Sequence, residues 1–451
     1  MSMEKLFFEF LQVAVGNRKS LSVSISDTDW LRLFEFCKRQ ALIGVGFSAV
    51  EKLHSHGVVC PANLRMQWVS LALQIEKRNA LLNEQCKALT EQYGHDGFSC
   101  CILKGQGYLL NYPEEQRTRR MSGDIDVWMI PKNNCEIPIA VQTGKNDVEY
   151  VECHGRKAVI EYVRMQHRLA GNNEKPVIRY HHIEAPKMEG TEVEVHYRPA
   201  FLRSPLRNWR MQRWFEYHTD ECMTNKTQLG FSMMTSSVNV VYQMCHLYTH
   251  IFEGGFGLRQ LMDYYFALRV WHNDVMECKD LQSQGMWSEG MGTPVMSAPE
   301  IMAVLRSFGM WKFAAAVMWV INEVFGGENE NDNENENCPQ MTQMDTDGCP
   351  QADLEGEQLL INDERLMIND CPWLVCEPNE VEGRKLLEEI MRGGNFGQYD
   401  ERGKNLKNGG MLQHGIWKLK RVMRLVSSYP EEALWEPVFR VWHLVWRGIN
   451  G

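Results

Sequence analysis

Along residues 3–95, apolar positions recur at three- and four-residue spacing, the period of helices with one buried face. The opening stretch MSMEKLFFEFLQVAVGNRK sets acidic residues among its apolar ones and reads as an amphipathic helix, not a secretory leader. SDTDWLRLFEFCKRQALIGVGFSAV begins on helix-capping residues, and NLRMQWVSLALQIEKRNALLNEQCKALTEQY predicts one long amphipathic helix. These faces need a partner from elsewhere in the chain.

The pattern then changes. FSCCIL (98–103), bounded by HDG and KGQG, suits a buried strand, with a helical piece following as far as Tyr112. In DIDVWMI, Ile125, Val127 and Met129 alternate with Asp124, Asp126 and Trp128, so a strand sends each set to its own face. A less regular stretch leads to RKAVIEYVRMQHRL (156–169), which is helical. VIRYHHIEA and TEVEVHYRPAF are strand-like and joined by PKMEG, a hairpin or neighbouring pair. The expected fold class is α+β, a small mixed-sheet core at 97–203 between helical regions. Those regions are 1–96, 204–325 and 353–451. Residues 326–352, rich in Asn, Glu and Asp, break every periodicity and predict a mobile acidic insertion. The terminal helices mix Lys and Arg with Trp, giving either a basic aromatic surface or core helices with snorkelling cations.

A chain of 451 residues exceeds one typical core, which agrees with several units. The net charge of −10 gathers largely in the acidic tract, and nothing in the balance advertises a broad nucleic-acid surface. No apolar run of about 18 residues predicts a membrane span. The 14 cysteines show no C-x-x-C pairing, so reduced, mostly buried thiols of a cytoplasmic protein are expected, not a structural zinc site.

Candidate chemistry starts at Asp124 and Asp126. Turn chemistry accounts for Asp124 beside Ser122 and Gly123, but not for Asp126 inside a strand. Two carboxylates projecting side by side repel each other, and a divalent cation is the natural compensation; oxygen ligands of this kind suit Mg²⁺ or Mn²⁺ with substrate phosphates. In EVEVHYRP, Glu192, Glu194 and His196 share one face. If that strand pairs beside 125–130, Glu194 completes a three-carboxylate cluster able to hold two ions; otherwise the three line the solvated face of an edge strand.

ILKGQGYLLNYPEEQRTRRMSGDIDVWM, followed by VEVHYRP and then HLYTHIFEGGFGLRQLMDYYFAL, resembles the uncharacterised nucleotidyltransferase family of bacteria, within the polymerase-beta-like nucleotidyltransferase superfamily. The resemblance runs from residue 98 to 270, and YPEEALWEPVFRVWHLVWR extends it. It implies that Asp124 and Asp126 are metal ligands and that Glu194 is the third carboxylate, with Mg²⁺ or Mn²⁺, two ions, as cofactor. It further implies an NTP as donor and a hydroxyl acceptor on a small molecule, a protein or an RNA end. Lys104, Gly105, Gln106 and Gly107 stand where the superfamily has its phosphate turn, with Gln106 in place of a small residue and a longer gap before Asp124. That departure keeps open a catalytically degenerate nucleotide-binding protein or a helical scaffold.

Arg117, Arg119 and Arg120 are candidate phosphate clamps or exposed loop arginines, with Arg119 carried as nucleotide-binding. His246 and His250, at i and i+4, lack the glutamate of H-E-x-x-H and suggest helix packing or nucleotide-side polar contacts. Gly257, Arg259, Gln260 and Asp263 match the family's helical motif. Arg259 either pairs with Asp263 one turn on or faces the nucleotide.

Overall fold

The computed structural model of the protein describes residues 1–132, 137–142, 148–171, 175–284, 295–326, 373–402 and 410–450. The predicted acidic insertion lies outside the described residues except for Gly326.

Four helices precede the first strand: α1 (Met3–Val15), α2 (Asp27–Arg39), α3 (Ile43–Ser55) and α4 (Ala62–His95). Ser2 caps α1, and Gly16 ends it in the left-handed region at φ 88°. Ser26 and Asp29 form a reciprocal capping box on α2, as the sequence led one to expect. The 34 residues of α4 span about 51 Å. This length lets one helix serve two cores. Leu64, Trp68 and Ala72 pack among the helices, whereas Leu82, Cys86, Leu89 and Tyr93 pack against the sheet.

The sheet is built from β1 (Phe98–Ile102), β2 (Ile125–Pro131), β5 (His182–Met188) and β6 (Thr191–His196), in the order β1-β2-β6-β5. β2 runs antiparallel to β1 and parallel to β6, while β5 and β6 form the expected antiparallel pair. The short helix α5 (Glu114–Arg117) lies between β1 and β2, and between β2 and β5 lie a separate hairpin, β3 (Ile137–Gln142) and β4 (Val148–Cys153), and then α6 (Gly155–Leu169). The β3–β4 hairpin falls where the sequence shows no clear period.

Alternation decides what each face of the sheet meets. Ile125, Val127, Met129, Val193 and Val195 join Ala158, Val159, Tyr162 and Val163 of α6 and the lower stripe of α4 in one core. The opposite face, carrying Asp126, Trp128 and His196, turns to the helices that follow. These are α7 (Pro205–Tyr217), α8 (Thr219–Thr224), α9 (Ser236–Glu253), α10 (Leu258–Ser283), α11 (Ala298–Ser307), α12 (Trp311–Phe325) and α13 (Glu380–Gly393). Two more helices, Met411–Leu425 and Pro430–Asn450, complete the described chain.

The partner sought by the amino-terminal helices is this later helical set. Leu6, Phe7, Phe10, Trp30 and Leu33 share a single apolar core with residues of α9, α10 and α12. Gln116 reaches the carbonyl of Ala14 at 2.6 Å, and Asn17 reaches the Tyr265 hydroxyl at 2.8 Å. On the last helix, Phe439, Trp442 and Trp446 meet the Tyr180 ring edge-on, while Trp435 and Trp442 stay partly exposed.

Candidate active site

The site is set by strand register. Parallel pairing puts Asp126 of β2 directly beside Glu194 of β6, and Trp128 beside His196. Residues in register on neighbouring strands point to the same face, so the carboxylates of Asp126 and Glu194 meet. Asp124, one step before the strand, is exposed at the mouth of this cluster.

Several groups crowd the Asp126 carboxylate, which is 1% exposed. Lys104 Nζ lies 2.7 Å from Oδ1, and His196 Nε2 lies 2.8 Å from the same atom. Glu194 Oε2 stands 3.6 Å from His196 Nε2 and 3.4 Å from His182 Nδ1. Burial by itself would raise the Asp126 carboxyl. The Lys104 charge and the His196 contact outweigh it and hold that carboxyl well below the usual range. Asp124 moves the other way, raised by the charge of Asp126 beside it. Glu194 is also raised, chiefly by burial. Burial pulls His196 down, but its hydrogen bonds to Asp126 and Glu194 leave it raised overall.

The loop between β1 and β2 is held from behind. Asn79 of α4 donates to the carbonyls of Thr118 and Arg120 at 2.6 and 2.7 Å, and Arg78 donates to that of Gly123 at 3.3 Å. Arg120 is buried in a two-pronged pair with Asp263 of α10, Nε to Oδ1 at 2.6 Å and Nη2 to Oδ2 at 2.7 Å. Tyr112 donates its hydroxyl to Asp263 at 2.7 Å, and Arg120 also reaches Ser122 at 2.8 Å. Asp263 therefore belongs to Arg120, not to Arg259 one turn before it. The long gap between the turn and Asp124 has a use here: it carries the arginine that ties the loop to α10.

The four turn residues behave differently from one another. Lys104 faces Asp126. Gly105 has φ +59°, and Gly107 is so close to the Ile102 carbonyl that an added Cβ would stand 2.4 Å from its oxygen. The Gly107 N–H donates to the Lys104 carbonyl at 3.1 Å in a 3-10 turn, Gly105–Asn111. Gln106 points away from the carboxylates and donates to Asn83 at 3.1 Å.

The arginines before Asp124 are not exposed loop groups: Arg117 and Arg119 are half-buried and Arg120 is buried, each engaged within the protein. Arg119 bonds Glu76 and Ser48, both at 3.0 Å, and Glu51. Arg117 donates to the Tyr112 carbonyl at 3.0 Å. Arg259 donates to the Met121 carbonyl at 2.5 Å and lies over Phe396, and its buried Nε has no hydrogen-bond partner among the described residues. His246 and His250 contact each other through Nε2 atoms 3.1 Å apart, and burial lowers both, His250 to about 4. His246 stacks on Tyr242 and His250 lies tilted against Phe396, the first of the two roles the sequence suggested.

The sequence alternation placed His196 on the face of Glu194 but carried no sign that it bonds Asp126. Arg120–Asp263 and Asn79 were also missed as partners, since each spans a large sequence separation.

A parallel strand pair carrying D-h-D on one strand and a third carboxylate on the other, backed by a helical unit, is the arrangement the sequence led one to expect. The model of the uncharacterised nucleotidyltransferase family matches residues 26–285, more than half of the chain, and the chain belongs to that family. The match takes in α2 to α4 as well as the sheet, and stops short of the terminal helix. No curated protein and no solved structure matches it.

Proposed function

We propose that the chain transfers a nucleoside monophosphate from an NTP to a hydroxyl-type acceptor, with release of pyrophosphate. The observation that carries this reading is the parallel β2–β6 register, which sets Asp126 beside Glu194 with Asp124 at the mouth. The donor set fits divalent ions: Asp126, Glu194 and His196 each offer a ligand atom within 4.8 Å of the others, and the repulsion that raises Asp124 is the kind a cation relieves. Asp124, Asp126 and Glu194 would hold Mg²⁺ or Mn²⁺. Such ions supply charge neutralisation at the phosphates and a more acidic acceptor hydroxyl.

The chain's own groups do the positioning. Lys104 keeps Asp126 ionised in a buried place, and His196 fixes the direction of its carboxylate. Gly105 and Gly107 let the turn lie against the Asp124 backbone and β1 without a clash. Arg259, with an unpartnered Nε near the mouth, is the cation placed to meet a phosphate. Gln106 and Arg119 act from behind, anchoring the turn to α4 and the loop to α3 and α4. Trp128 and the buried face around it exclude water from Asp126.

A second reading, nucleotide binding without turnover, is favoured by one observation: Lys104 and the Gly107 N–H are already engaged within the protein. Incorporation of labelled nucleotide separates the two. The first test is thermal unfolding with ATP, CTP, GTP and UTP, with and without Mg²⁺, on wild type, Asp124→Asn and Glu194→Gln. These variants are preferable to Asp126→Asn, which also strips Lys104 and His196 of a partner. A nucleotide at 100 times its Kd adds about 2.7 kcal/mol. The expected result is a Mg²⁺-dependent shift in wild type that both variants lose; equal shifts in all three would sink the carboxylate assignment.

A further inference from the structure

We propose that His181, His182 and His196 form a second cation site beside the carboxylates, one that takes an imidazole-seeking transition ion of the Zn²⁺ or Co²⁺ type. One nitrogen from each ring lies within 4.8 Å of the others. The ring centroids are 4.4, 5.1 and 5.2 Å apart, and His181 Nε2 stands 3.0 Å from His182 Nδ1. Two nitrogens bound to one ion at about 2.1 Å stand roughly 3.0–3.4 Å apart. The 3.0 Å contact is a hydrogen bond between two of the rings, so an ion is held once the rings turn about the soft terminal torsion and bring the unpartnered nitrogens His181 Nδ1, His182 Nε2 and His196 Nδ1 together.

A stronger observation is what the rings lack. His181 Nδ1, His182 Nε2 and His196 Nδ1 are buried with no hydrogen-bond partner among the described residues. His182 and His196 are 4% and 1% exposed. A buried polar nitrogen without a partner is costly, and phenylalanines would fill the same space without that cost.

The unpartnered atoms of two of these rings are also in a telling place. His196 touches the Asp126 carboxylate through Nε2 and leaves Nδ1 over, while His182 approaches Glu194 through Nδ1 and leaves Nε2 over. An imidazole that donates one N–H to a carboxylate presents the other nitrogen as a lone pair, the arrangement in which histidine ligates a metal. Neutral nitrogen ligands select Zn²⁺, Co²⁺ and their neighbours over Mg²⁺, which prefers oxygen. The carboxylates would thus serve twice, as ligands on one side and as orienting partners for His182 and His196 on the other.

The test uses the full chain and does not depend on nucleotide binding. Metal-free protein in excess Mg²⁺ is titrated with Co²⁺ alone, read by its visible absorption, and with Zn²⁺ alone, read by calorimetry. Wild type is compared with His181→Gln, His182→Gln and Asp124→Asn. The expected result is one saturable equivalent, with Zn²⁺ displacing Co²⁺. Each histidine variant should weaken binding by more than the roughly 10- to 100-fold that loss of an outer partner costs, while Asp124→Asn binds as wild type. His181 is only half-buried, so its variant remains informative if His182→Gln fails to fold. Absence of saturable binding in wild type, unchanged affinity in His181→Gln, or equal loss in Asp124→Asn would each overturn the site. Histidine-dependent binding without any Mg²⁺-dependent nucleotide shift would keep this site and remove the nucleotide reading.

Discussion

Removing the carboxylate of Asp263 tests what holds the loop that delivers Asp124. In Asp263→Ala, the Arg120 guanidinium loses both prongs of its pair, at 2.6 and 2.7 Å, in a place where the two side chains are 4% and 2% exposed. The Tyr112 hydroxyl, fully buried, loses its acceptor as well. Breaking a buried ion pair from one side costs about 3–5 kcal/mol, and stranding a buried hydroxyl adds about 1 kcal/mol or more. A loss of about 4–6 kcal/mol is a large part of the roughly 5–15 kcal/mol that keeps a domain folded. Replacing both partners, as Arg120→Met with Asp263→Leu, removes the charges together and should cost far less than the sum of the single changes. Urea unfolding of the two singles and the double measures this as a coupling energy of more than about 2 kcal/mol. Arg120 also holds Ser122 at 2.8 Å, so the double variant should fold yet bind Mg²⁺·NTP more weakly, because residues 121–124 then keep only the backbone contacts from Arg259 to Met121 and from Arg78 to Gly123. A single change costing less than about 1 kcal/mol, or costs that simply add, would refute this account.

Three further expectations follow from contacts elsewhere. Gly107→Ala drives a Cβ to 2.4 Å from the Ile102 carbonyl oxygen and should destabilise by about 1–3 kcal/mol, whereas Gly123→Ala meets nothing within 4 Å and serves as the control; equal melting temperatures for the two would contradict the packing described. Lys104→Met removes the internal counter-ion of Asp126, so divalent cation alone should raise the melting temperature of the variant by more than it raises that of wild type; a smaller rise would mean that Lys104 and the cation do not compete. Glu389 and Asp400 are both lowered: burial opposes this in each, and hydrogen bonds and charge from Arg402 win. Groups lowered on folding contribute stability above their unfolded pKa values of roughly 4, and that stability is lost as pH falls through the lower folded values. Arg402→Gln should therefore be less stable than wild type near neutrality, with the gap closing on acidification; a gap independent of pH, measured by urea unfolding, would rule out the linkage.

Much of the framework was legible in the sequence because it rests on local periodicity. The long helix α4, the strands at 98–102 and 125–131 and the hairpin of β5 and β6 all follow from spacing that a short window contains. The β3–β4 hairpin was not legible, since its residues show no clean alternation. At the site, alternation alone put Asp124 and Asp126 on one face and Glu194 with His196 on another strand's face. Only the parallel register joined them, and register is a property of the pair of strands, not of either one.

The remaining differences have the same cause. Whether Arg119 or Arg120 meets a phosphate, a glutamate or Asp263 depends on which helices arrive behind the loop, and those partners lie 43 to 143 residues away in the chain. His181 and His182 read as ordinary strand residues until folding places them against His196 and strips their nitrogens of water. The sequence by itself determined the chemical inventory and the faces it occupies, because backbone geometry converts spacing into direction. The tertiary structure alone decided which charges neutralise one another, because desolvation and pairing depend on distances that no local pattern encodes.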